Sequence, residues 1–135
     1  MAIKYIIDTC TISHLLEGRE TVVRRINELP RSQTYITPIT ISEAYYGILT
    51  IPKIKSNEVD EIMLAIHSFP VLPITETVAF RHAKLKAASK ETGCKKDNDM
   101  WIIAFCDDEE ATLITTDSRM GHLSKFTNCL EIIQI

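Results

Sequence analysis

The chain has 135 residues, 45% hydrophobic and 24% charged, a size and balance that predict one globular domain (1–135) around a single core. Its formal net charge of −3 excludes a polycation that holds nucleic acid by its overall field, so any such binding needs a local basic patch. The scattered Cys10, Cys94, Cys106 and Cys129, the polar Lys4 and Asp8 near the start, and the lack of a long apolar run argue against a disulfide scaffold, a zinc ribbon, a secretory signal and a membrane span; the expectation is a cytoplasmic protein with reduced thiols.

Tyr5, Ile6 and Ile7 are aromatic or β-branched without polar alternation, which predicts a strand buried on both faces in a helix-covered parallel sheet. It stops at Asp8. Ile12 to Leu16 and Thr21 to Leu29 read as short helices around Gly18, the second striped by Val22, Val23 and Ile26 and ended by Pro30. Thr34 to Thr37 predicts a second strand, ended by Pro38. A helix follows from Thr40 to about Leu49, with Ile41, Tyr45, Ile48 and Leu49 inward. Ser56 is placed as the cap of a helix whose Val59, Ile62, Met63 and Ile66 recur at helical spacing. Pro70-Val71-Leu72-Pro73 allows only a short strand near an edge. Thr77 to about Lys90 predicts a polar-faced helix ending near Gly93, and Trp101 to Phe105 a helix apolar nearly all round. Thr112 to Thr115 is a buried strand stopped by Asp117, and Leu130 to Ile133 a last one. Strands alternating with helices predict a three-layer α/β/α fold with a central, mostly parallel sheet.

Four carboxylates stand out by position. Asp8 ends the first strand, Glu43 and Asp99 lie in the first turns of helices, and Asp117 follows the strand at Thr112 to Thr115. In a doubly wound sheet these places share one rim, where ligand crevices form. Bare carboxylates crowded there repel one another, and a hard, oxygen-seeking cation such as Mg²⁺ or Mn²⁺ removes the conflict. Each acid also has an ordinary reading. Thr40-Ile41-Ser42-Glu43 fits a capping box, Asp8 and Asp117 fit helix N-caps, and Asp99 answers a helix dipole. Asp97, two residues earlier, is the rival to Asp99 as the third ligand.

The segments Ile7-Asp8-Thr9, Thr40-Ile41-Ser42-Glu43-Ala44-Tyr45-Tyr46-Gly47, Asp99-Met100-Trp101-Ile102-Ile103-Ala104 and Ile114-Thr115-Thr116-Asp117 spread in this order across nearly the whole chain. Together they resemble the motifs of the PIN-domain ribonucleases, and most of all the VapC-type toxins of bacterial and archaeal toxin–antitoxin pairs. Three positions depart from that pattern. Cys10 stands where a small polar or aliphatic residue is more frequent, Ile103 replaces a usual alanine, and Met120-Gly121 follows Asp117 where an aromatic is common. None removes an acid. The resemblance implies metal-dependent endonucleolytic cleavage of RNA with Mg²⁺ or Mn²⁺, leaving a 5′-phosphate and a 3′-hydroxyl. It makes Asp8, Glu43, Asp99 and Asp117 the catalytic set, with Asp8, Asp99 and Asp117 holding the metal and Glu43 acting through the metal or its waters. A homodimer and a small antitoxin protein are the implied partners.

Arg81, His82, Lys84, Lys86, Lys90, Lys95 and Lys96 form the densest basic stretch and lead into Asp99. They read either as a path for an RNA backbone or as a solvated helix face. Arg24 and Arg25 are less well placed, and Arg119 beside Asp117 is a candidate phosphate contact. Thr9 and Thr115 are either ordinary strand-end residues or hydroxyls that orient a water at the rim. His14, His67, His82 and His122 are too dispersed for a zinc site, and His67 is expected to pack at its helix end. Asp107 to Glu110 are expected on solvated surface, and Tyr45 and Tyr46 in packing or a subunit contact. Two other function classes fit less well. A scaffold without catalysis has no need of four acids, and an aspartyl-phosphate phosphohydrolase expects a second Asp where Cys10 stands.

Overall fold

Successive side chains of a strand face opposite sides, and that alternation at Ile6 and Ile7 divides the core in two. Strand β1 (Tyr5–Ile7) lies inside a four-stranded sheet with β2 (Thr34–Tyr35), β3 (Thr112–Thr115) and β4 (Leu130–Ile132), ordered β2-β1-β3-β4 with every pairing parallel. On one face Ile6 and Leu113 pack with Val78 and Leu85 of helix α5 (Glu76–Lys90) and Met100 and Phe105 of α6 (Asp97–Glu109). On the other, Ile7 and Ile114 pack with Ile12 of α1 (Thr9–Leu16), Val22 and Ile26 of α2 (Glu20–Glu28), and Ile66 of α4 (Ser56–His67). Helix α3 (Pro38–Thr50) adds Ile41 and Ala44 to that second cluster. The result is the expected three-layer α/β/α arrangement. These statements come from a computed structural model that describes residues 3–90, 97–125 (side chains as far as Gly121) and 130–134.

Several boundaries differ from those expected, each for a local reason. Helix α1 begins at Thr9, because Asp8 caps it by accepting the Thr11 N–H at 3.0 Å. Strand β2 holds two residues instead of four. Pro38 has no N–H for a ladder and starts α3 instead, behind Thr37, whose hydroxyl accepts the Thr40 N–H at 3.4 Å. The Pro70 to Pro73 stretch makes a single parallel bridge, Ile36 to Val71, at the sheet edge. Ser56 is the first residue of α4 and not its cap; Lys55 takes the cap position without a side-chain bond. The expected helix end at Gly93 lies outside the described residues, as do Cys94, Lys95, Lys96 and Cys129.

Two ion pairs fix the frame. Arg25 grips Glu131 through Nε at 2.7 Å and Nη2 at 2.9 Å, fastening α2 to β4. Lys4 reaches Glu109 at 2.7 Å, so α6 ends beside the start of β1 and begins at the opposite rim, where β1 delivers Asp8. Among the described residues no helix is long and apolar enough to cross a membrane.

Candidate active site

The carboxyl ends of the parallel strands and the starts of their helices meet at a cleft of about 490 Å³, lined by Cys10, Glu43, Asp97, Asn98, Asp99, Asp117 and Arg119. Helix α3 supplies Glu43, the first turn of α6 supplies Asp97 to Asp99, and the turn after β3 supplies Asp117 and Arg119. Asp8 is buried at the head of α1 and does not line the cleft, although the charge of Asp117 reaches it.

Each acid is held by named partners. Asp8 Oδ1 accepts the Thr11 N–H at 3.0 Å and the Thr11 hydroxyl at 2.6 Å, and its Oδ2 accepts the Thr115 hydroxyl. Burial pushes the Asp8 pKa above the ordinary carboxylate range; the Thr11 and Thr115 bonds pull it back, and Asp117 pushes it up again. Thr115 Oγ1 also accepts the Asp117 N–H at 3.1 Å, so one hydroxyl ties two of the acids together. Asp117 Oδ1 accepts the Arg119 backbone N–H and Nε, each at 3.0 Å, and its Oδ2 accepts Nη2 at 3.1 Å. Asp8 and Asp117 therefore do cap the segments that follow them, Asp117 at the cleft wall and Asp8 buried beneath it.

Glu43 corrects the capping-box reading. The cap of α3 is Thr37, so Glu43 lies beyond the first turn, and its Oε1 accepts the Thr9 hydroxyl at 2.9 Å. Asp99 lines the cleft half-buried. Asp97 lines it too, but its Oδ1 takes His82 Nε2 at 2.8 Å and Lys86 Nζ at 3.4 Å. Burial pushes the Asp97 pKa up, yet the His82 bond and the His82 and Lys86 charges outweigh it and hold the group below the ordinary value. Asp97 is thus bound to α5.

The basic stretch does not form one face. His82 is buried and stacks on Trp101 with ring centroids 3.7 Å apart and planes 7° from parallel. Arg81 pairs with Asp108 at 3.3 Å, while Lys84 and Lys90 are exposed. Asp108 and Glu109, expected as bare surface, are ion-paired. His14 Nδ1 meets Thr116 Oγ1 at 2.8 Å, His67 is exposed instead of packed, and the His122 side chain lies outside the described residues. Tyr45 and Tyr46 are exposed. The sequence reading missed Asn98 and the cleft position of Cys10, since neither carries a charge or a periodic signal.

The donor chemistry fits a hard cation. Carboxylates dominate the cleft wall, and the one soft donor in its lining, Cys10, has its thiol pKa pushed up by partial burial and by Asp8, Asp117 and Glu43. As the side chains stand, no three His, Cys, Asp or Glu groups among the described residues are close enough to hold a metal. Glu43, Asp8 and Asp117 each bond a neighbouring side chain instead, through Thr9, Thr115 and Arg119.

The sequence matches the PIN domain over residues 5–125. The chain belongs to the PIN-domain family. PIN domains are in general nucleases. The fold agrees with several solved structures. VapBC2 from Rickettsia felis, bound to a DNA fragment from its promoter, is similar with a TM-score of 0.85 at 17% identity, over 98% of this chain and 100% of that one. FitAcB from Neisseria gonorrhoeae gives 0.77 at 25% identity over 96% of each chain. VapBC-5 from Mycobacterium tuberculosis, of the VapBC family of toxin–antitoxin systems, gives 0.70 at 21% identity over 99% of this chain and 100% of that one. No curated protein is significantly similar in sequence.

Proposed function

We propose that this PIN domain, acting as one unit over residues 1–135, is a divalent-metal-dependent endoribonuclease and the toxin of a type II toxin–antitoxin pair. The observation that carries the reading is the convergence of Glu43, Asp99 and Asp117 on one cleft, with Asp8 joined to Asp117 through Thr115. Asp8, Asp99 and Asp117 hold Mg²⁺ or Mn²⁺, and Glu43 completes the set. Bound there, the cation supplies Lewis-acid polarisation of the phosphoryl group and lowers the pKa of the attacking water.

The chain's own groups do the rest. Thr115 fixes the relative position of Asp8 and the Asp117 backbone, and Thr9 aims Glu43. Arg119 carries its charge at the cleft wall, and that charge passes from Asp117 to an incoming RNA phosphate. Exposed Lys84 and Lys90 on α5 draw the backbone toward the cleft. The similar VapBC structures, one of them from the VapBC family of toxin–antitoxin systems, support an antitoxin as partner; a second copy of the chain as the assembly and the cytoplasm as the place of action belong to the same toxin reading.

The test is cleavage of end-labelled total RNA by the wild-type chain and Asp8→Asn, with Mg²⁺, Mn²⁺ or EDTA. Discrete fragments bearing 5′-phosphates, absent with EDTA and in Asp8→Asn, are expected. A folded, antitoxin-free wild type that cuts nothing with either metal would favour a non-catalytic RNA- or protein-binding scaffold.

A further inference from the structure

A second cavity of about 470 Å³ adjoins the acidic cleft, lined by Thr9, Ser42, Glu43, Tyr46 and Asn98. It shares Glu43 and Asn98 with the cleft, so whatever occupies it lies next to whatever phosphate the acids act on. Its chemistry differs from the cleft's. Beside the shared Glu43 carboxylate, the lining combines one aromatic ring with hydroxyl and amide side chains, a combination suited to a planar heterocycle with polar edges. Ser42 and Tyr46 sit one helical turn apart on α3 and therefore share a face. The Tyr46 side chain is open to solvent, with the residue 69% exposed.

An independent observation comes from Gly47. Glycine is the poorest helix former after proline, and Gly47 lies in the interior of α3. A Cβ built there meets nothing within 4 Å among the described residues, so their packing does not require glycine. It lies one turn beyond Glu43, beside Tyr46, and leaves that surface bare for close approach from outside.

We propose that this cavity is a nucleobase subsite, taking an unpaired base of the RNA strand next to the cleaved phosphate. Tyr46 is the stacking platform, and Ser42 and Asn98 bond the base edge. The Thr9 hydroxyl is already committed to Glu43. Aromatic stacking tolerates any base because each has a π-face, while edge contacts add preference. The inference rests on the ribonuclease reading and narrows its substrate to single-stranded RNA at the cut.

The test measures binding of labelled single-stranded oligoadenylate, oligocytidylate and oligouridylate to Asp8→Asn, with an abasic oligomer of equal length and charge as control. Adding Tyr46→Leu is expected to weaken the base-bearing oligomers about tenfold and to leave the abasic one unchanged, while Tyr46→Phe keeps wild-type affinity. Gly47→Ala is expected to raise the Tm and yet weaken the same oligomers. Equal effects of Tyr46→Leu on basic and abasic strands, or none on either, would overturn the subsite. So would a change in particle mass in solution with RNA affinity intact, which assigns Tyr46 to a subunit contact. Tyr46-dependent binding by a wild type that never cuts would sink the nuclease reading and leave the subsite standing.

Discussion

Arg119 holds Asp117 with two side-chain bonds, Nε to Oδ1 at 3.0 Å and Nη2 to Oδ2 at 3.1 Å, at the wall of the acidic cleft. The guanidinium thus sits on a carboxylate that the account assigns to a cation. While Nε and Nη2 grip Asp117, the guanidinium has given that carboxylate the paired donors with which it would otherwise fork an RNA phosphate.

Arg119→Ala is therefore expected to shift metal and substrate affinity in opposite directions. The half-saturating Mn²⁺ concentration falls by roughly two- to fivefold, in line with an exposed ion pair, and KM for RNA rises. Mn²⁺ titrations of the RNA-free protein and steady-state cleavage read the two effects separately. A loss of metal affinity would show that Arg119 supports the cation and does not compete with it.

Asp8 carries a stability cost in the metal-free protein. Its folded pKa lies above the ordinary value, chiefly through burial. The sign follows from linkage: the neutral form favours the fold, so the contribution is fully present below the unfolded pKa and is lost as pH rises through the folded one. At neutral pH in EDTA, Asp8→Asn should melt at the same temperature as wild type or about 2 °C higher, and added Mg²⁺ or Mn²⁺ should stabilise wild type alone. Thermal melts with and without divalent cation check this. A large loss of stability in EDTA would mean the charged carboxylate is needed by the fold itself.

His82 should matter through Asp97 and Trp101. It is buried, stacks on the Trp101 ring and bonds Asp97 in the first turn of α6, two residues before Asp99. His82→Ala is expected to cost about 2–3 kcal/mol from the lost stack, the cavity and the broken bond. His82→Phe keeps the stack and should recover more than half. Urea midpoints measure both. Equal losses in the two variants would place the whole effect on the Asp97 bond.

How far the sequence carried can be seen residue by residue. The strand at Tyr5–Ile7 was legible because a strand buried on both faces must be apolar at every position, which few other elements require. Glu43, Asp99 and Asp117 share one cleft, as the element boundaries imply, whereas Asp8 is buried beside it and reaches Asp117 through Thr115. Thr37 and Thr40, three residues apart, both suit a helix cap, and Pro38 at the first helical position decides for Thr37. Thr115 looked like a strand-end residue, since only the folded pairing of β1 with β3 brings its hydroxyl to Asp8. His82 belonged to a basic run by composition and to the core by its contact with Trp101. Asn98 carries no charge, so nothing in the pattern marked a residue that lines both cavities.

Asp99, and not Asp97, belongs to the acids that hold the cation in the proposed site. Single-turnover RNA cleavage by wild type, Asp99→Asn and Asp97→Asn, measured across a Mn²⁺ titration, tests it most directly. Asp99→Asn should lose more than about a hundredfold in rate at every Mn²⁺ concentration, while Asp97→Asn, which bonds His82 and Lys86 instead of the cation, should lose roughly ten- to a hundredfold at most. A silent Asp97→Asn beside an active Asp99→Asn, or cleavage by wild type that continues in EDTA, would contradict the account.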